Sequence, residues 1–518
     1  MQAILKNMKG LIKLHHLIHS LSKTEKRYIS IELSKQRSKK GKIDLMLFNL
    51  LKKQNDLNEE KIVSHAEFDS TVKLIIRCNY LFEFILRCLI DYNYSREIEI
   101  AIGNHIRIIK NFILKGLHQY THYHLNKAEK LAEKYEDLYR QGILCTLRKT
   151  IVNRSSSSHV EFFREIQKIE AKENSIHEKI INLNAYNNHL NHISVALKKN
   201  AGSHLDDETF KILKHIEESS YFTNEKNALT KKAKIVFHEV TSILGELMHH
   251  DYQRSLIHTE KQMILIREME SYEKAHSPAY INCLKYYCIF SSETGQFGKA
   301  KNALQELGKM YIEKSAAQNL FEKSLIFLNY IEAETHLTLV DHEVHRFQTT
   351  QARISEGIEL YDKMFDSESR MILYYNLALR FMFMHEYKTA FRWLEKIFQE
   401  FHGMRVDILQ NTHLLSLVCI YENESVNLFQ SRERSYIRHY QNEKTRNPAH
   451  VKIIHSLSKI FQFKNNPPHI QKDLIEMKDF VSKEMKEYNI DRNLGETLLD
   501  WIDSKLEKKS APATQGNK

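Results

Sequence analysis

The sequence predicts an all-α protein, an α-solenoid of antiparallel helix pairs preceded by a basic helical module. Three observations predict it. Glycine and proline together make 19 of 518 residues, about a third of the roughly 12% that average usage gives these two types. A sheet protein of this size needs many Gly- or Pro-bearing turns, whereas long helices joined by short polar turns do not. Beyond residue 100 the apolar spacing resolves into paired helices, and 27% charged with 42% apolar residues suits folded helices with solvated outer faces. The length would allow about three ordinary domains, but a repeat array can run that far unbroken.

Along the chain, residues 1–95 read as a basic N-terminal helical module. Residues 96–440 read as the repeat array, 441–507 as C-terminal capping helices and 508–518 as a disordered tail. Ser22-Lys23-Thr24-Glu25 has capping-box spacing and opens the helix EKRYISIELSKQ. Helices follow at IDLMLFNLLKKQ, at LNEEKIVSHAE and over Val72–Ile90. In that last segment Lys73, Arg77, Glu83 and Arg87 share one stripe, so it is a helix buried on its other sides and not a membrane span. No other stretch reaches the length of about 18 apolar residues that a span needs. Ile98, Ile100 and Ile102 alternate before Gly103-Asn104 like a hairpin arm, yet the run continues as IIKNFILKGL with helical period, which favours helix. Breaks are expected at Asn153–Ser158, at Asn200–Ser203 and near Pro278, Pro448 and Pro467-Pro468. Asn447 and Asn466 stand as caps before early-helix prolines.

The net charge of +11 is unevenly placed. Residues 1–53 hold 13 Lys and Arg against 3 Asp and Glu, so the other 465 residues carry only about +1. The densest part is Lys35, Arg37, Lys39, Lys40 and Lys42, in a polar loop between helical patterns. Such a cluster can meet nucleic acid, an anionic surface or an acidic protein, or simply be solvated. No reading motif or aromatic stacking platform accompanies it.

No phosphate-cradling glycine loop, no G-x-S-x-G elbow and no H-E-x-x-H occurs. The six cysteines are scattered without a C-x-x-C pair, which suits core thiols in a reducing compartment and neither a disulfide framework nor a zinc knuckle. Lys6, Lys9 and Lys13 interrupt the opening, so it does not read as a secretory signal. Histidine, at 29, is the one abundant reactive type. It clusters at His15/His16/His19, His118/His122/His124, His189/His192, His249/His250 and His342/His345, with no local carboxylate or thiolate to complete a ligand set. These read as surface or boundary residues that raise the net charge below about pH 6.5. The expectation is a non-enzymatic cytoplasmic protein without metal or cofactor.

Two segments carry a family resemblance. In YYNLALRFMFMHEYKTAFRWLEKIF (374–398), Tyr374, Leu377, Ala378, Phe381, Tyr387, Ala390, Leu394 and Ile397 fall at the spacings of a tetratricopeptide unit. In LKYYCIFSSETGQFGKAKNALQEL (284–307), Leu284, Tyr287, Cys288, Gly295, Phe297, Ala300, Leu304 and Leu307 match, with Ser291 in place of the helix-A aromatic. Weaker copies lie at 114–135, with Gly116 at the turn and Ala128 in helix B, and at 242–266, with Leu244-Gly245 and Asp251-Tyr252. Ser255, Ala300, His345 and Ala390 are spaced by 45, longer than the usual repeat of about 34. The array thus resembles a degenerate tetratricopeptide solenoid. The opening LIHSLSKTEKRYISIELSKQ is similar to the head of a group of large bacterial helical-repeat proteins, a likeness that brings no activity with it.

The resemblance implies a protein-interaction scaffold whose concave face takes a peptide or helix of a partner. It places groove-lining residues at Ile372, Tyr375, Leu379 and Met382 in the stronger unit, and at Asn282, Lys285, Ile289 and Ser292 in the other. Lys285 stands beside Ile289 without a polar partner, which suits an apolar groove better than a carboxylate clamp. The alternative is a nucleic-acid-associated regulator, bound through the basic module, with the solenoid as its partner arm.

Overall fold

The computed structural model describes residues 2–54, 57, 58, 62, 71–93, 98–155, 159–199, 207–269, 278–312, 320–341, 351–401, 405–423, 426–439, 447–462 and 467–510. These are 90% helical and contain no strand. The expected helix LNEEKIVSHAE lies almost wholly outside them, as do His342, His345, Asn466, the breaks after residues 155 and 199, and residues 511–518 of the expected tail; its first three residues, 508–510, end the last helix instead. The chain divides into two units, residues 1–182 with 313–323, and residues 183–312 with 324–518.

In the first unit, α1 (Gln2–Ser20), α2 (Lys23–Ser34), α3 (Lys39–Lys53) and α4 (Thr71–Asn93) pack around one core. The capping box forms: Ser22 N–H donates to Glu25 at 2.7 Å, and Glu25 N–H to Ser22 Oγ at 3.3 Å. α5 (Ile98–Leu114), α6 (Thr121–Lys134) and α7 (Leu138–Ser155) share a second core built on Ile102, Ile109, Leu125 and Ala128. The alternating isoleucines are therefore helical. α8 (His159–Lys199) runs for 41 residues, and the division between the units falls within it.

The second unit continues with α9 (Asp207–Glu217) and the single turn α10 (Ser220–Thr223). Helix pairs follow: α11 (Lys231–His249) with α12 (Tyr252–Glu268), and α13 (Pro278–Glu293) with α14 (Phe297–Ile312). After α15 (Leu320–Val340) and α16 (Gln351–Tyr361), α17 (Ser367–Phe383) pairs with α18 (Tyr387–Glu400), and α19 (Val406–Glu422) with α20 (Val426–His439). Last come α21 (Pro448–Gln462), α22 (Pro467–Lys486) and α23 (Arg492–Ser510). We call α11, α13, α15, α17 and α19 the A-helices. Each pair packs against its neighbour in sequence order, which is the arrangement of a helical repeat.

One hydrogen-bond motif makes the pairs. At the ends of α5, α6, α11, α13 and α17 a residue turns left-handed: Gly116, Glu136, His250, Gly295 and His385; α19 ends without one, at Asn423 with φ −88°. The following N–H then reaches back to a carbonyl near the helix end, as in Asp251 to Gly245 at 2.9 Å, Gln296 to Ser291 at 2.7 Å and Glu386 to Phe381 at 2.8 Å. The second helix opens two residues beyond the left-handed one, at Tyr252, Phe297 and Tyr387. His250, Gly295 and His385 keep the 45-residue interval read from Ser255, Ala300 and Ala390.

Small residues seat the pairs. A Cβ on Gly245 would stand 2.7 Å from Ser255 Oγ, and Ser255, Cys288, Ala300, Ala378 and Ala390 are all fully buried. Ala300→Leu and Ala390→Leu are each expected to cost about 1–3 kcal/mol by overpacking, read as a drop in urea midpoint at unchanged slope. The parent should give a strongly helical far-UV circular dichroism spectrum that chelator and reductant leave unchanged; a helix content below about one half contradicts the fold.

Candidate functional site: the A-helix face and the basic module

The five A-helices align side chains of unusual polarity. In α13, Lys285 is buried, with Nζ 3.3 Å from Glu332 of α15 and 4.3 Å from the Tyr286 ring. Burial works against its ammonium, but Glu332, Tyr286 and Glu246 outweigh that and hold its pKa above the ordinary value. In α17, Tyr375 is buried and its hydroxyl accepts from Asn411 of α19 at 3.1 Å. Leu379 and Met382 are also buried, while Asn282, Ile289 and Ile372 keep partial exposure. Ser292 is buried and bonds the Cys288 carbonyl. Five of the eight residues of the resembled groove, Lys285, Ser292, Tyr375, Leu379 and Met382, are thus already packed.

The packing partner at the C-terminal ends of the A-helices is the last helix. α23 lies against α17, and the segment leading into it touches helices far apart in sequence. Tyr488 stacks on His250 with centroids 3.9 Å apart and planes at 7°. Arg492 pairs with Glu293, the last residue of α13, and His336 of α15 stands 3.0 Å from the same carboxylate. The Trp501 indole donates to Glu422, the last residue of α19, at 2.7 Å, and Lys505 donates to it at 2.6 Å. Asn447 caps α21 through Ala449 N–H at 2.9 Å, and its amide also holds the Asn489 carbonyl at 3.0 Å. Leu494, Leu498, Trp501 and Ile502 are buried beneath.

These contacts explain otherwise ill-placed charges. A carboxylate in the last turn of a helix opposes the helix dipole. Glu246, Glu293 and Glu422 all occupy such positions. Burial alone would push the Glu293 carboxyl up, but His336 and Arg492 outweigh it and hold it below the usual range. Burial pushes Glu246, and Glu239 two turns earlier on α11, up to about 7; Lys285 and His336 oppose it at Glu246 without outweighing it. None of these acids was singled out from the sequence. Their readable signal was position, an acid at a helix C-terminus without a local cation.

The basic module is also built. Lys35, Arg37, Lys39, Lys40 and Lys42 are all exposed. Lys39, Lys40 and Lys42 stand in the first turn of α3 and not in the expected loop, which is confined to residues 35–38; Gly41 lets that turn approach Gln36, since a Cβ there would lie 2.5 Å from Gln36 Cβ. The three acids of residues 1–53 are spent internally: Asp44 is buried against Arg77, Glu32 pairs with Lys35 at 2.5 Å, and Glu25 serves the capping box. A cavity of about 370 Å³ beside the loop is lined by Leu33, Gln36, Arg37, Lys42 and Leu45.

The histidine clusters resolve into structural contacts. His15 and His19 bond the carbonyls of Gln54 and Leu51 at 2.8 and 3.0 Å, closing the end of α3. His105 meets His124 through their Nδ1 atoms at 2.9 Å, and His238 meets His258 likewise at 3.0 Å. His249 pairs with Glu217 at 2.8 Å. Among the described residues no three His, Cys, Asp or Glu converge as a metal site. All six cysteines are buried, and burial pushes the Cys78 thiol up to about 12 and the Cys88 thiol to about 11. No described helix is long and apolar enough to cross a membrane. Comparison of the chain with protein-family models, with curated proteins and with solved structures gave no match.

Proposed function

We propose that the helix pairs form a tetratricopeptide-like solenoid and that the chain is a non-enzymatic, cytoplasmic scaffold taking a peptide or helix of a protein partner on its concave A-helix face. The observation that carries this reading is the seating of α23 on that face: a helix is received there, with the buried carboxylate of Glu293 meeting an arginine and the partly exposed one of Glu422 meeting an indole and a lysine. A surface that accepts one helix through apolar contacts and placed charges has the chemistry to accept another. Asn282, Ile289 and Ile372 remain partly exposed on α13 and α17.

Ile289→Asp with Ile372→Asp is expected to lower capture of the native partner at least tenfold in affinity purification. Neutralising Arg37, Lys39, Lys40 and Lys42 to Gln should have a smaller effect that fades with salt, because exposed charges act through a screened field. The second reading, a nucleic-acid-associated regulator, draws on the one-sided exposure of the basic loop. It requires the opposite order: the charge variant loses binding, nuclease abolishes the complex, and affinity falls steeply with salt.

A further inference from the structure

Three features distinguish the seat of α23 from an ordinary helix–helix contact. It joins helices remote in sequence, for Arg492 reaches Glu293 across 199 residues and Trp501 reaches Glu422 across 79. It neutralises last-turn carboxylates that the A-helices leave without a basic residue in their own last turns. And the two turns touch: Tyr488, the left-handed residue between α22 and α23, stacks on His250, the left-handed residue between α11 and α12.

The sequence of α23 describes what the seat selects. Arg492 stands in the first turn, Leu494, Leu498, Trp501 and Ile502 form one apolar stripe, and Lys505 follows a turn later. The two cations stand thirteen positions apart, about 20 Å along a helix, and each meets one carboxylate, Arg492 that of Glu293 and Lys505 that of Glu422.

We propose that α23 is an exchangeable pseudo-ligand and that the partner is an amphipathic helix bearing a basic first turn, this apolar stripe and a second basic residue three to four turns on, which displaces α23 from the A-helix ends. The proposal rests on the scaffold reading above and names its ligand chemistry. Glu293 and Glu422 are the charge determinants. The cis helix sets a threshold, because a competitor meets the site only in the fraction of molecules where α23 has left.

The test uses the full chain and a fluorescein-labelled peptide of residues 488–510. The parent should bind it weakly by anisotropy. Full-length Trp501→Ala with Lys505→Ala, whose own helix is loosened, should bind the unaltered peptide at least tenfold more tightly. Adding Glu293→Arg should reverse that gain at least tenfold, and a peptide carrying Arg492→Glu should restore it. Hydrogen exchange on the parent gives an independent reading should the loosened variant fail to fold: amides of residues 494–502 should exchange at least tenfold faster than those of 373–382 in α17. Equal exchange in the two helices overturns the proposal, as does a folded loosened variant that gains no peptide affinity. Concentration-dependent dimerisation of the loosened variant also overturns it, by making a second copy the occupant. Since the peptide is the chain's own, such failures strike the exchange alone; failure of Ile289→Asp with Ile372→Asp to affect capture strikes the scaffold reading.

Discussion

Arg380→Ala is expected to destabilise the second unit by about 3–5 kcal/mol, since removing one member of a buried ion pair strands the other. Arg380 of α17 and Glu334 of α15 are 3% and 1% exposed, and Nη1 donates to the carboxylate at 2.6 Å. The Tyr330 hydroxyl donates to the same group at 3.3 Å, a neutral contact that does not replace the guanidinium charge. The comparison that isolates the mechanism is Arg380→Met with Glu334→Leu. It removes both charges and keeps the volume, so it should recover most of the loss and can exceed the parent. Urea denaturation at pH 7 reads both. If the single and double variants unfold at the same midpoint, the cost lies in side-chain packing and the pair is not an electrostatic link between the A-helices.

That pair shows where sequence reasoning stops. Arg380 and Glu334 are 46 residues apart, and nothing local announces a partner. Features set by local chemistry were readable: the Ser22 capping box, the Asn447 cap, the turn glycines Gly116 and Gly295, and small residues such as Ala300 and Ala390 that allow close approach. The same turn was hidden where His250, His385 and Glu136 occupy the left-handed position, because these residues pay a conformational cost that glycine avoids and so carry no glycine signature. The candidate groove was legible as a set of positions on one face, but its packing was not. Leu379 and Met382 are buried on α17, a helix that packs on α18, α19 and the distant α23. The one-sided charge of the first 53 residues was legible in full, whereas the burial of Asp44 against Arg77, which sharpens it, needed the fold.

The histidine count also misleads when read alone. Burial holds His19, His105, His189, His238 and His258 below the usual imidazole range, so their share of the charge rise moves to lower pH. This sets up the second large expected effect, a cancellation in the second unit. His238 of α11 and His258 of α12 share an Nδ1–Nδ1 contact. Burial depresses both, with Lys261 and Lys234 adding to it at His238, and with His238, Lys261 and Arg254 doing so at His258; Glu225 opposes weakly. Below about pH 6.5 the unfolded chain binds protons that the folded pair refuses, so stability falls on acidification. Glu239 and Glu246 have the opposite sign. Burial lifts both to about 7, so between about pH 7 and the unfolded carboxyl range near 4.5 the folded chain binds protons that the unfolded chain does not, and stability rises on acidification. Each of the four groups contributes on the order of 2–3 kcal/mol at full effect, and the two windows overlap. From these groups the parent should therefore show a nearly level urea midpoint between pH 7 and 5. Glu239→Gln with Glu246→Gln removes the rising arm: the variant should be more stable than the parent at pH 7.5 and lose several kcal/mol by pH 5. His238→Gln with His258→Gln removes the falling arm and should gain stability over the same interval. Parallel profiles for parent and both variants would mean that neither pair titrates in this window, and that the buried carboxylates of α11 stay ionised against a cation their surroundings supply.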